Sequence, residues 1–519
     1  MSGPRAAGPR AAGPGLAPAQ AAPAAPAALA TPEALAVLLL ALALLAATGR
    51  GHVDDLDAQT YRVVVRHLAQ DRAWLTPRFL PGYWPEFREH LPFGLWPATV
   101  ATRVLGLGAA ERLHLCFSLG TIALLIWAGR QAFGGSAGVA AGLVLALTES
   151  FWRYGGRLLL EPPLLLLATA AALPLLLRPP RKRDWWLAIL LGALACGVKG
   201  PFGLAPLACA GAGRALATRS WPTFARAALA TVAAALPVAA FLLADLVVLH
   251  LGWWDGYVRR QLLASATGAR TDGVSGFWFA PRVVLGRFWP GLPFALLAAG
   301  RALRAPAPVE PAIPKPAMLQ PAPGLPAPLA RPAPGARDPA DEAARALAWT
   351  CALLLFALCL PARKWGNHVY VLFPLLALLA GAGLGPWLDA RTARRGAGLL
   401  RGALVALALL AGAASAAGLG RYLVQPPCPL AAGLAGPLRA LPPGDVLIAP
   451  AGEFPLLVEV ADESARVPWP VSALDAPLPD SARARSIAAG LVRAGTALPP
   501  GWLRLAGAGG WTLAAPAPP

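Results

Sequence analysis

The sequence predicts an all-α polytopic membrane protein, and three observations predict it. Of the 519 residues, 57% are hydrophobic and only 14% are charged, whereas a soluble domain carries about 25% charged residues. Apolar runs of about 15 to 25 residues recur along the chain, the length that crosses a hydrocarbon core. The basic residues fall in short clusters between those runs: Arg178, Arg181, Lys182 and Arg183; Arg214, Arg219 and Arg226; Arg391, Arg394 and Arg395. An ordinary soluble enzyme is excluded. The net charge of +19 follows the positive-inside rule, in which basic loops stay cytoplasmic. No basic stripe interleaves with exposed aromatics, which argues against nucleic acid. The six Cys form no CxxC pair and read as small apolar residues, not as a disulfide framework or a thiolate zinc site.

Residues 1–30 are almost entirely Ala, Pro and Gly with Arg5 and Arg10, so a disordered cytoplasmic tail is expected there, not a cleaved signal. A transmembrane catalytic module follows over 31–304. Its first span runs from Ala34 to Ala47, after Thr31-Pro32-Glu33, a capping hydroxyl followed by Pro at the first helical position. Residues 50–92 hold acids and aromatics and are expected to form a structured outer loop. Apolar runs follow at roughly 93–108, 112–132, 136–152, 158–177, 185–198, 201–213, 228–250, 288–303, 345–361, 369–388 and 399–420. The segment 251–287 is a second outer loop, rich in Trp and Arg.

With residue 50 outside and Arg178–Arg183 inside, an odd number of crossings must separate them, yet four runs lie between. The Gly- and Ala-rich run 136–152 is therefore expected to be re-entrant or to lie along the membrane. The total is about 11 to 13 spans. Residues 305–343 are a Pro/Ala-rich cytoplasmic linker, semi-extended and unable to bury a core. The last spans occupy 344–420. Polar character returns over 421–519, with short apolar stretches at Asp445–Ala449 and Trp502–Leu505, and a small extracytoplasmic α+β domain is expected. No internal repeat of solenoid period is present.

This topology gathers charged groups of both signs on the outer face. Asp54, Asp55, Asp57, Glu86 and Glu89 lie in the first outer loop, and Glu161 at the outer end of its run. Lys199 occupies the turn Gly197-Val-Lys-Gly-Pro201, and Lys364, Asn367 and His368 the turn after 345–361. Ionisable groups at membrane depth are costly and mark functional paths. Only four Lys stand among 45 basic residues, so a Lys at a tight turn suggests a compact point charge for a phosphate. An interfacial snorkelling lysine reads equally well.

These residues carry a family resemblance. Asp57-Ala-Gln-Thr-Tyr61, Trp74-Leu-Thr-Pro77 and Glu89-His-Leu-Pro92 resemble the first outer loop of GT-C membrane glycosyltransferases of the aminoarabinose-transferase and protein-mannosyltransferase branch. There the loop reads roughly DE-x-x-Y, then W-x-x-P, then K-P-P-L or E-H-P-P-L. Gly197–Pro201 resembles the family's L-x-KGP turn, and Lys364 through Tyr370 and Pro374 its late K…Y-x-L-P segment. The five motifs occur in the family's order over most of residues 50–375.

The resemblance implies a polyprenyl-phosphate-sugar-dependent glycosyltransferase working at the outer face of a bacterial cytoplasmic membrane. Its acceptor would be a lipid, a protein or a glycan. The family's catalytic acid falls on Asp57, with Asp54 and Asp55 as alternatives if the register slips. A carboxylate there would activate the acceptor for attack at the anomeric carbon, and fixed cations would stabilise the leaving phosphate. The resemblance assigns donor-phosphate binding to Lys199, His90, Arg62, Lys364 and Tyr370, and supporting acids to Glu89 and Glu161. Glu161 is expected to orient Lys199 or a metal. No cofactor is certain; a divalent metal stays open, with Glu89 and His250 as candidate ligands. Ala58 replaces the family's second acid, Leu91 a proline, and Thr60 a basic residue.

Plainer readings stand beside these. The three aspartates are also suited to capping a juxtamembrane helix, and Glu161 to the first turn of a helix begun by Pro162-Pro163. His90 and His368 suit interfacial hydrogen bonding. Trp253, Trp254, Trp278 and Trp289 suit an interface belt. The rival function is a transporter or flippase of a lipid-linked sugar, which would place its charges near the midplane on broken helices, often in repeats. An inactive scaffold acting through its C-terminal domain is the third.

Overall fold

A computed structural model describes residues 29–49, 56–80, 84–304, 338–395, 429–449, 454–476 and 486–517, apart from 465, 467 and 509, with isolated positions between 398 and 413. Asp54 and Asp55 lie outside the described residues, as do nearly all of the tail 1–30, the linker up to 337 and most of the run 399–420.

Helix α1 (Pro32–Gly49) starts as its sequence dictates, with the Ala34 amide donating to Thr31 Oγ1. The polar segment after it is structured. It holds helix α2 (Leu56–Asp71), an antiparallel hairpin of β1 (Arg78–Leu80) and β2 (Trp84–Glu86), and a 3-10 turn Pro92–Gly94. Phe79, Phe87 and the half-buried Trp84 pack ring against ring beneath the hairpin. This apolar anchor holds two three-residue strands that would not persist alone.

Helices α3 (Trp96–Leu105) and α4 (Leu107–Phe133) follow, then α5 (Ala137–Leu147) and α6 (Glu149–Gly155). Eleven residues give α5 a length of about 16 Å, short of a full crossing. It is buried between α4 and helix α14 described below. A Cβ on Gly138 would run into the Ile126 carbonyl of α4, so small residues set this close backbone approach. Helices α7 (Glu161–Leu176) and α8 (Lys182–Lys199) form an antiparallel pair whose far end carries Arg178 through Arg183. Asp184 closes that end by accepting from the Arg181 amide at 2.9 Å. Helices α9 (Pro201–Thr218) and α10 (Trp221–Ala244) continue the bundle.

The segment expected as a second loop is largely helical. A π-turn Asp245–Leu249 extends α10, a π-helix covers Trp254–Leu263, and α11 (Phe279–Arg287) meets α12 (Leu292–Arg304) at 114°. Helix α13 (Pro339–Cys359) begins inside the stretch expected as linker, where Asp338 accepts from the Ala340 amide. Helix α14 (Phe373–Arg395) follows a 3-10 segment Gly366–Leu372.

Four described helical spans are long and apolar enough to cross a membrane alone, at Leu107–Phe133, Trp221–Leu249, Pro339–Cys359 and Gly366–Thr392. The bent α11–α12 pair makes a fifth, and Pro32–Ala47, Ala137–Leu147 and Glu161–Leu176 are shorter apolar helices. Only 17% of the α10 window is buried against 83% of the α14 window. The lipid-facing wall and the bundle centre are thereby distinguished, and the chain is a multi-pass membrane protein.

The C-terminal region is α+β. A five-stranded mixed sheet runs in the order β4 (Pro468–Pro470), β3 (Asp445–Ile448), β5 (Ile487–Arg493), β7 (Trp511–Pro516), β6 (Trp502–Ala508). β3 is parallel to both neighbours, and β7 is antiparallel to β5 and β6. Helices α15 (Pro429–Ala440) and α16 (Phe454–Ser464) pack beside it, and α16 also lies against α2.

Candidate active site

The site grows from two helix ends. Helix α8 stops at Lys199 because Gly200 takes φ +56°, and a Cβ there would strike the Tyr257 hydroxyl. Pro201 then opens α9. Glu161 lies in the first turn of α7 with Pro162 and Pro163 behind it. The Lys199 ammonium reaches Glu161 Oε1 at 2.5 Å, and both side chains are 5% exposed. An acid at a helix N-terminus and a cation at a helix C-terminus each sit at the favourable end of the dipole, which offsets part of the cost of burying the pair.

A second cation enters from the segment after the π-helix. Arg270 grips Asp272 with two hydrogen bonds, Nε to Oδ1 at 2.8 Å and Nη2 to Oδ2 at 2.5 Å, and Nη1 contacts Gln261. Its guanidinium lies 4.6 Å over the Trp365 ring. Gln261 in turn donates to Glu89 at 3.2 Å. The backbone fixes this arrangement, since Val274 and Lys364 exchange both amide hydrogen bonds, at 2.9 and 3.0 Å. Arg270 donors hold the Asp272 carboxyl below its usual range.

His90 and His368 complete the cluster. Burial, then the charges of Lys199 and Arg270, push His90 well below its ordinary value, so at neutral pH it is an uncharged imidazole. His368 lies within electrostatic reach of Lys199, His90 and Arg270, and its ring packs 4.1 Å from that of Phe202. Burial raises Glu89, opposed by Arg270 and Gln261. The Tyr61 ring meets His90 edge-on at 5.9 Å. Asp57 is exposed in the first turn of α2, one helical turn before Tyr61 on the same face.

Three residues expected at the donor phosphate make other contacts. Arg62 Nε donates to Asp462 of α16 at 2.8 Å, and Nη1 contacts Glu111. Lys364 is buried with its ammonium on the Pro361 carbonyl. Tyr370 takes Arg287 Nη1 on its hydroxyl at 2.5 Å and packs on Tyr154, facing Glu161 across a small cavity. His250 sits in a left-handed conformation, φ 50°, closing the π-turn by donating its amide to the Asp245 carbonyl. Among the described residues no group of three or more His, Cys, Asp or Glu is arranged to hold a metal ion.

Arg270, Gln261, Asp272 and Trp365 carry no motif in the sequence. The Arg and Trp content of 251–287 marks the segment, but nothing local marks Arg270 among its neighbours.

No protein-family model matches the chain, and no curated protein matches it in sequence. Solved structures do match. ArnT from Cupriavidus metallidurans bound to undecaprenyl phosphate superposes with a TM-score of 0.64 at 16% identity, over 93% of this chain and 96% of that one. The same protein in the apo state gives 0.61 at 14% identity, over the same shares. A match of this extent, reaching from the first spans into the C-terminal domain, shows that the chain has the GT-C fold.

Proposed function

We propose that the protein transfers a sugar from a polyprenyl-phosphate-linked donor to an acceptor at the outer face of the membrane. The observation that carries this reading is the meeting of Lys199, Arg270, His90 and His368 with Glu161 and Glu89 at one end of a GT-C bundle. The fold is shared with an ArnT whose solved structure holds undecaprenyl phosphate. Lys199 and Arg270 would meet the donor phosphate as fixed cations, and His90 would add a neutral N–H. An acceptor hydroxyl or phosphate would attack the anomeric carbon and pass its proton to a carboxylate, Asp57 in the leading register or Asp54 or Asp55 otherwise. The sugar–phosphate C–O bond breaks, and polyprenyl phosphate leaves with its charge held by the cations. Placement outside is supported by the arginines at the far ends of α7, α12 and α14, which the positive-inside rule keeps in the cytoplasm.

The test uses purified protein in lipid with radiolabelled polyprenyl-phosphate sugars and an acceptor extract. Acceptor-dependent release of polyprenyl phosphate is expected from the native chain. It should be lost in Asp57→Asn and cut at least about a hundredfold in Arg270→Gln, since a donor to developing charge contributes about that much. Loss confined to Asp54→Asn or Asp55→Asn moves the register. Labelled lipid that crosses the bilayer without being consumed replaces the enzyme by a transporter.

A further inference from the structure

At the end of the bundle away from Lys199, a pocket of about 380 Å³ lies against helices α12 and α14, lined by Phe294, Leu297, Arg301, Gly383, Pro386 and Trp387. Phe373 lines the small cavity beside Glu161, the partner of Lys199, and Trp387 lies fourteen residues beyond it, about 21 Å along the helix, so this pocket is separate from the cluster around Lys199. Its two ends differ in chemistry. Phe294 and Leu297 form an apolar wall on a helix whose outer side is already lipid-facing, with Leu296 62% exposed. Arg301 stands at the other end, and Arg391 lies 4.2 Å over the Trp387 ring. Neither guanidinium has an acidic partner among the described residues. Asp389, the acid nearest Arg391 on α14, is taken by Ser136, which donates its hydroxyl at 2.9 Å and its amide at 3.2 Å.

We infer that this pocket binds one anionic phospholipid of the leaflet at that end. The phosphate would lie between Arg301 and Arg391, and an acyl chain against Phe294 and Leu297. Three features select that occupant. Two guanidiniums without carboxylates call for an anion, and Trp387 beside them is the residue type that settles at headgroup depth. A basic pocket between spanning helices is a headgroup site, and the adjoining apolar wall requires an amphipath, not a free anion.

The test uses the full-length protein in nanodiscs of phosphatidylcholine doped with phosphatidylglycerol. Native mass spectrometry reads the phosphatidylglycerol molecules retained, and titration gives their apparent affinity. The native chain should retain one that Arg301→Gln holds about fivefold more weakly, the effect of one basic residue at a headgroup. Leu297→Trp, which fills the pocket at unchanged charge, should lose it too, so the result does not depend on one variant folding. Equal loss in Arg304→Gln, which lies outside the pocket, would reduce the effect to diffuse surface charge and overturn the site. Retention in Leu297→Trp, or displacement of the lipid by undecaprenyl phosphate, would overturn it as well. None of these readouts depends on sugar transfer.

Discussion

Glu161 and Lys199 form a buried ion pair. Each is buried, so removing one strands the other's charge, at a cost of about 3–5 kcal/mol. Lys199→Ala should therefore lower the unfolding midpoint sharply, and Lys199→Met with Glu161→Gln should recover much of it by removing both charges. Transfer should stay abolished in the double variant. This combination separates a cation needed for catalysis from one needed only to neutralise Glu161, and thermal unfolding beside the radiolabel assay reads it. His90 adds a pH dependence of known sign. Its folded value lies well below the ordinary 6.5, so as pH falls through about 6.5 the unfolded chain takes up a proton that the folded chain refuses. Stability should fall on that side, and His90→Gln should flatten the decline in unfolding midpoint between neutral and mildly acidic pH.

Helix α2 joins two parts of the molecule. One face brings Tyr61 to His90. The other meets α16, where Arg62 pairs with Asp462 and Arg66 donates to the carbonyls of Ala461 and Asp462 at 2.8 and 2.9 Å. The C-terminal domain is thus fastened to the helix that bears Asp57. Asp462 is 2% exposed at its side chain, and a hydrogen bond to a charged partner contributes about 1.5–3 kcal/mol. Asp462→Asn should cost about 2 kcal/mol and speed hydrogen exchange in 56–71 before it affects α13 or α14. Equal exchange in all three would deny that α16 braces α2. The resemblance to GT-C enzymes gives Arg62 a phosphate-binding role. The structure gives it a partner 400 residues away, and no spacing in the sequence signals that pair.

Across the whole molecule, charge and burial divide the two ends. Glu89, Arg270, Lys199 and the 84–86 strand lie together, whereas Arg178–Arg183 lie at the far end of the α7–α8 pair. Single cysteines at Glu86 and Arg183, in a chain freed of its own cysteines, should react with an impermeant maleimide from opposite sides of sealed vesicles. Labelling from the same side would break the topology. Lateral exposure is equally uneven. Leu229, Val232, Leu236 and Leu243 of α10 are 58–69% exposed, so they meet lipid, and Leu236→Arg should cost about 2.5–3.5 kcal/mol at mid-span.

Composition alone determined that this chain lives in a membrane, because 14% charge cannot clothe a water-facing surface. Local chemistry placed the helix starts at Thr31-Pro32 and at Glu161-Pro162-Pro163, and the break at Gly200-Pro201, since caps, prolines and a positive φ act within one turn. The α+β character of the C-terminal region was legible from its short apolar stretches. Long-range pairing was not. Arg270 comes to Glu89 through Gln261, and Arg62 to Asp462, only when loops far apart in sequence are stitched together. The π-helix Trp254–Leu263 is also a tertiary outcome, because its propensities do not separate it from a loop. Hydrophobic periodicity reports which face an element buries. Which charged side chains then meet depends on how the buried faces stack, and that only the folded bundle decided.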